Sequence, residues 1–207
     1  MRKLSLLIII SITNYLIISA QELKDIDIES YKEYTNNFTI AYTDSVINFS
    51  VTDAKPKKLN NETFYFWYKN QDVNKTQGGY VGKLLDGPFT AINKSNDLLS
   101  QGRFEDGVKV DEWKFWDREG NLYSLLNYKK GQLNGKQFIY HKNNQVKIKS
   151  NYRNGVKNGK ELVYDQKGRL VLETRYKNGL KHGKEILYQG DEKIIKKYKK
   201  GQLVNED

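Results

Sequence analysis

The side chains able to do chemistry are few, and their spacing suits it badly. His141 and His182 are the two histidines among 207 residues, 41 positions apart, and no cluster of Asp or Glu at metal-ligand spacing accompanies either. The chain has no cysteine, which removes thiolate metal sites and disulfides and leaves the core to packing alone. No G-x-S-x-G, P-loop or dinucleotide fingerprint occurs. Asp111 and Glu112, beside Trp113 and Trp116, are the best carboxylate pair for glycoside chemistry, with tryptophans of the kind that platform a sugar. The competing reading of those tryptophans is core packing. The expectation is therefore no enzyme, no metal and no cofactor.

Basic side chains are the stronger lead. Residues 127–201 hold 20 Lys or Arg against 6 Asp or Glu, whereas residues 21–126 carry a net charge of −4, so the formal +10 is concentrated in the C-terminal half. Lys147, Lys149, Arg175, Lys197 and Lys199 alternate with apolar residues and should share one side of a strand ladder. Lys136, Lys160 and Lys184 form a separate column. Such ladders attract anionic partners, although lysines also keep exposed strands soluble and their edges unpaired. The alternation argues against a transmembrane barrel, whose charged face would have to meet lipid.

The elements that must position these residues are written three times over, as LNYKKGQLNGKQFIY, SNYRNGVKNGKELVY and TRYKNGLKHGKEILY, each starting 24 residues after the last. Gly131, Gly155 and Gly179 form one column and Gly135, Gly159 and Gly183 a second. Tyr128, Tyr152 and Tyr176 form a third, and Tyr140, Tyr164 and Tyr188 a fourth. A fixed period of this length marks a repeat array in which one supersecondary unit stacks on its copies. The recurring glycines are explained by turns, not by a phosphate cradle. Within a unit, Leu170, Leu172, Thr174 and Tyr176 alternate with Val171, Glu173 and Arg175, the period of a strand. The intervening DREGN, HKNNQ and DQKGR keep Gly120, Asn144 and Gly168 in register, as tight loops need. Each unit is thus read as a β-hairpin with a first strand from about residue 136 to 141. The NGxxxG segment should reverse the chain between hairpins. Weaker copies extend back to residue 63, and a truncated last one, EKIIKKYKKGQL, brings Tyr198 two residues early.

The expected fold is all-β, an elongated antiparallel meander of stacked 24-residue hairpins over residues 59–207. Residues 21–58 read as an irregular N-terminal cap with short strands at TIAYT (39–43) and VINFSV (46–51). Arg2 and Lys3 before an apolar run over residues 4–18 read as a signal peptide spanning residues 1–20 and cleaved after Ala20. The run is shorter than the roughly 20 residues a membrane span needs, so a periplasmic or secreted product without a span is expected. Nucleic acid is then not an expected partner. The five N-x-S/T triplets, from Asn37 to Asn93, read as compositional.

The unit Y-x-N-G-x-x-x-G-K-x-x-x-x-Y, at Tyr152 to Tyr164 and again at Tyr176 to Tyr188, resembles the MORN-variant repeat, the antitoxin-like relative of the membrane occupation and recognition nexus repeat. That resemblance implies a stacked-hairpin fold and binding in place of catalysis, by a scaffold that holds a protein or lies near a membrane. The leading expectation is an exported scaffold that binds a protein or an anionic envelope surface. The alternatives are an antitoxin or immunity protein and a carbohydrate-binding protein centred on Trp113 and Trp116.

Overall fold

The computed structural model describes residues 36–56 and 58–204, so the signal peptide, the cleavage site and the start of the expected cap lie outside the described residues. The described chain is a run of strands: β1 (Asn37–Ala41), β2 (Ser45–Thr52), β3 (Phe64–Lys69), β4 (Asp72–Gln77), β5 (Lys83–Asn93), β6 (Leu98–Glu105), β7 (Val108–Trp116) and β8 (Leu122–Lys129). It continues with β9 (Gln132–Tyr140), β10 (Val146–Arg153), β11 (Val156–Lys157), β12 (Gly159–Tyr164), β13 (Leu170–Lys177), β14 (Leu180–Gln189), β15 (Glu192–Lys199) and β16 (Gln202–Val204). All pair antiparallel in one open sheet, a meander of hairpins as the sequence predicts.

The two glycine columns do different work. Lys130 and Gly131 (φ 52° and 78°), Asn154 and Gly155 (50° and 81°) and Asn178 and Gly179 (51° and 82°) are the centres of two-residue turns. Positive φ at both positions is the type I′ geometry, whose twist matches that of the flanking strands. Each turn is also tied to the unit before it: the Gly131 amide donates to Lys109 O (2.9 Å), Gly155 to Leu133 O (2.8 Å) and Gly179 to Lys157 O (2.9 Å). Gly135, Gly159 and Gly183, at φ 101°, 113° and 94°, do not reverse the chain. They sit where the ladder skips two residues, as between Leu126↔Gln137 and Tyr128↔Leu133, or Thr174↔Glu185 and Tyr176↔Lys181. The second glycine is therefore a bulge, and the strand expected to start near residue 136 starts at Gln132. In the preceding unit Asp111 fills the bulge place and keeps its left-handed backbone, at φ 56°.

The opposite hairpin ends follow the expected loops. Asp117 Oδ1 accepts the amides of Glu119 (3.1 Å) and Asn121 (2.9 Å), and Asp165 Oδ1 those of Lys167 and Arg169 (2.9 Å each). The last unit replaces this loop with the two-residue turn at Gly190 and Asp191, and β14 pairs with β15 without a register shift. The shorter turn and the missing bulge each remove one residue, which is why Tyr198 arrives two early.

The first strands depart from expectation by exchanging roles. The sheet path runs β1-β2-β5-β6, and β3 and β4 stand off it. Strand β2, assigned from sequence to an irregular cap, supplies Ile47, Phe49 and Val51 to the main core. Strands β3 and β4, read as the first weak repeat, form a hairpin laid over the sheet. Phe66 packs on Phe104 (ring centroids 5.0 Å apart), and Tyr68 packs on Phe38 (4.5 Å) and Phe49 (5.5 Å). Beneath it Trp113, 1% exposed, meets Phe104, Phe89, Phe115 and Tyr128 at 4.9–6.5 Å. Its register neighbour is Gly102, where a Cβ would lie 2.2 Å from the indole. Beyond Trp113 the buried residues are polar, namely Ser124, Gln137, Ser150 and Thr174. The second half of the array is a single layer.

Candidate interaction surface

Residues directly opposite on neighbouring antiparallel strands share a face, so the register sorts every candidate residue. One face, called here the apolar face, carries Trp113, Leu126, Gln137, Ser150, Glu161, Thr174 and Glu185 in continuous register. Tyr128, Tyr152 and Tyr176 lie on it. The other face carries Lys149 opposite Phe138, Lys136 opposite Asn151, Lys160 opposite Arg175, Lys184 opposite Lys197, and Lys199 opposite Gln202. Tyr140, Tyr164 and Tyr188 lie there. Members of a tyrosine column are two strands apart, with Val146 and Leu170 as the register partners of Tyr140 and Tyr164, so Tyr140 does not stack directly on Tyr164. Each repeat contributes two strands, which sets this spacing, and a one-residue bulge beside the loop at residues 165–169 carries Leu170 to the face opposite Leu172.

On the apolar face one position changes chemistry along the array. Trp113 becomes Gln137, Glu161 and Glu185 at successive 24-residue steps, while Lys109 becomes Leu133, Lys157 and Lys181. In the last two units the result is a closed polar network. Glu161 pairs with Lys157 and accepts from Ser150 Oγ (3.0 Å) and Tyr176 OH (3.4 Å). Glu185 pairs with Lys181 and accepts from Thr174 Oγ1 (3.2 Å) and Tyr198 OH (3.2 Å). Burial pushes the Glu185 carboxyl up, but the Lys181 ammonium and the two hydroxyls outweigh it and hold it below its ordinary value. At Gln137 the change is half made: no lysine stands at Leu133, and the buried Nε2 has no partner. At the tryptophan end Lys109 has rings for company, with Nζ 3.9 Å from the Trp113 centroid, 5.1 Å from Phe115, 5.6 Å from Tyr128 and 5.7 Å from Phe66. Burial, with Lys75 as a nearby like charge, lowers its ammonium to about 8.

The other face is basic. The two lysine sets that the sequence separates fall together on it, except Lys147. That residue is the extra one in the bulge between Val146 and Ile148 and has no register partner on β9. Glu173 is the one carboxylate in register on this face from β9 to β16 among the described residues, and it serves both Lys160 (2.8 Å) and Arg175 (4.0 Å). Like charges directly opposite cost stability, and here Lys160 faces Arg175 and Lys184 faces Lys197. At the turn edge of this face an open depression of about 770 Å³ is lined by Lys129, Lys130, Arg153 and a group of asparagines. Asn127 and Asn151 brace the bulges, a role not foreseen from sequence: Asn127 Nδ2 donates to Lys136 O (2.7 Å) and Asn151 Nδ2 to Asn158 O (2.8 Å). Their 24-residue spacing beside the tyrosine column was the available signal.

The sugar-site expectation is overturned at Trp113. Its ring is enclosed and its Nε1 donates to Arg103 O (3.1 Å), so it presents no platform. Trp116 stands three residues beyond Trp113 on β7, so strand alternation places it on the basic face, away from Trp113. Glu112 pairs with Lys114 (3.3 Å). The histidines lie apart: His141 opens a hairpin loop, its Nε2 3.0 Å from Tyr164 O, and His182 lies in β14, where its Nδ1 accepts from Lys200 N at 3.5 Å. Among the described residues no three His, Asp or Glu side chains are grouped to hold a metal ion. No family model and no curated protein matches the chain.

Proposed function

We propose that this chain is an exported, non-catalytic interaction protein of the MORN-variant type, whose basic sheet face lies on an extended anionic surface such as acidic lipid headgroups. One observation carries the reading. Lys136, Lys149, Lys160, Arg175, Lys184, Lys197 and Lys199 collect on one face where Glu173 is the one carboxylate in register from β9 to β16 among the described residues, while Glu161 and Glu185 on the other face are engaged by Lys157 and Lys181. Each lysine near an anionic membrane contributes about 1 kcal/mol, screened beyond a Debye length of about 8 Å at physiological salt. The 24-residue hairpin period supports the family assignment, and the charged leader with its apolar run supports export. Co-sedimentation of the chain from Gln21 onward with vesicles containing acidic lipid tests the reading. Binding should fall steeply between low and physiological salt and be absent from neutral vesicles. Salt-independent binding, or none, would refute it.

A further inference from the structure

We propose that the apolar sheet face binds a long-chain carboxylate, a fatty acid, with its headgroup at Lys75 and Lys109 and its acyl chain laid across strands β8 to β12. The covering β3–β4 hairpin ends where these lysines stand. Tyr68 packs over β1 and β2 and Phe66 over β6, so Phe64, two residues nearer the hairpin's start, is the last covering side chain toward β7, and it is 48% exposed. Lys75 of the hairpin and Lys109 of the sheet share the Phe66 ring, with Nζ 5.6 Å and 5.7 Å from its centroid. Lys75 Nζ also lies 4.3 Å from the Phe64 centroid, while Lys109 has Trp113, Phe115 and Tyr128 around it.

The cation pair lacks a counter-ion. An ammonium withdrawn from water ordinarily meets a carboxylate or another hydrogen-bond acceptor, but half-buried Lys109 has neither among the described residues. The one charge acting on it is Lys75, of like sign. Cation–π attraction to the rings offsets part of that cost. The ammonium is still reached by solvent, because the only sealed polar side-chain atom without a partner among the described residues is Gln137 Nε2. A carboxylate arriving there would pair with both lysines at once, and Lys75, exposed on its strand, can swing to meet it.

Sheet register supplies the track for the tail. Phe115, whose ring centroid is 5.1 Å from Lys109 Nζ, stands opposite Ser124, Ser124 opposite Ile139, Ile139 opposite Ile148 and Ile148 opposite Val163. From β7 to β12 this row crosses four strand spacings, roughly 19 Å, the span of a long acyl chain. Its aliphatic members are half-buried on the single-layered part of the array. Glu161, beside the row, is already paired with Lys157, which leaves the lysines at the tryptophan end to fix the direction of the chain. One negative charge on an apolar body matches a cation pair followed by an apolar row. The site lies on the face opposite the basic one, so it does not depend on the lipid-surface reading.

Calorimetric titration of the full chain with dodecanoate, kept below its micelle concentration, tests this, with NMR of the Lys109 side chain as the second readout. Dodecanoate should bind one to one, and hexanoate at least about tenfold more weakly, because its shorter chain covers less of the row. The bound carboxylate should move the Lys109 titration upward from about 8. Lys75→Gln and Lys109→Gln should each weaken binding on the order of tenfold. Ile139→Ser should weaken it too, whereas Phe138→Ser, next along β9 but on the basic face, should not. Unchanged melting temperatures establish that the variants are folded, and exposed Lys75 tests the headgroup even where a change at Lys109 disturbs packing. A Lys109 titration unmoved by saturating dodecanoate would overturn the proposal. So would an affinity indifferent to both lysine changes, or one lost instead on combining Lys160→Glu with Lys184→Glu, which would put the anion on the basic face.

Discussion

Replacing Gly102 by alanine tests how the tryptophan end of the array is packed. The added Cβ would lie 2.2 Å from Cδ2 and 2.3 Å from Cε2 of Trp113. Carbon atoms in contact settle at about 3.5–4.0 Å, so the indole or strand β6 must yield by roughly 1.5 Å. The ring cannot move cheaply, because four aromatic neighbours enclose it and its Nε1 is bonded to Arg103 O. Overpacking of this kind costs about 1–3 kcal/mol, and with the ladder also strained the upper end applies. For a chain of this size each kcal/mol moves Tm by about 2–4 °C, so a fall of roughly 6–12 °C is expected in a thermal melt followed by far-UV circular dichroism. Adding Trp113→Leu to Gly102→Ala should recover part of the loss, since the space taken by the methyl is then vacated. A Gly102→Ala melt within about 1 °C of the parent would refute the packing argument.

Three further outcomes follow from the same geometry. Asp111 occupies a bulge that later units give to glycine, at φ 56°, so Asp111→Gly should raise stability by up to about 1 kcal/mol in a urea titration. Glu185 is held below its ordinary pKa in the folded chain; its contribution is therefore present above the unfolded value and lost as pH falls through the folded one. Glu185→Gln should cost about 1–2 kcal/mol at neutral pH and flatten the loss of stability below the ordinary carboxylate range. Lys109 should titrate near 8 by NMR, below the ordinary lysine value, because burial penalises its charge. The unfolded chain protonates it more readily, so stability should rise with pH from about 8 toward the ordinary lysine value. A Lys109 titration above 10 would contradict the enclosure.

The array was legible because its turns are chemically obligatory. Two adjacent positive-φ residues select Asn-Gly or Lys-Gly, and the five-residue loops need Gly120, Asn144 or Gly168 at fixed offsets, so hairpins and period could be read directly. Partner choice is not a local property, and there the reading failed. Nothing in VINFSV says that it pairs with residues 83–93, nor in the stretch around Trp67 that its hairpin leaves the sheet path. Alternation placed the lysines well until a one-residue bulge intervened, which moved Lys147 out of register and Leu170 to the other face. The burial of Trp113 depends on the missing side chain at Gly102, and an absent side chain leaves no periodic trace. The basic face was half legible: its composition was plain, but the union of its two lysine columns depends on register.

The account stands most directly on where its positive charge is displayed. Two double variants change net charge equally: Lys160→Glu with Lys184→Glu on the basic face, and Lys142→Glu with Lys167→Glu in hairpin loops. Partition onto acidic vesicles at low salt is the measurement. At about 1 kcal/mol for each lysine removed, the face variant should bind at least tenfold more weakly than the parent, and the loop variant should stay close to it. Equal losses in the two variants would mean that only net charge matters, and would contradict a binding face.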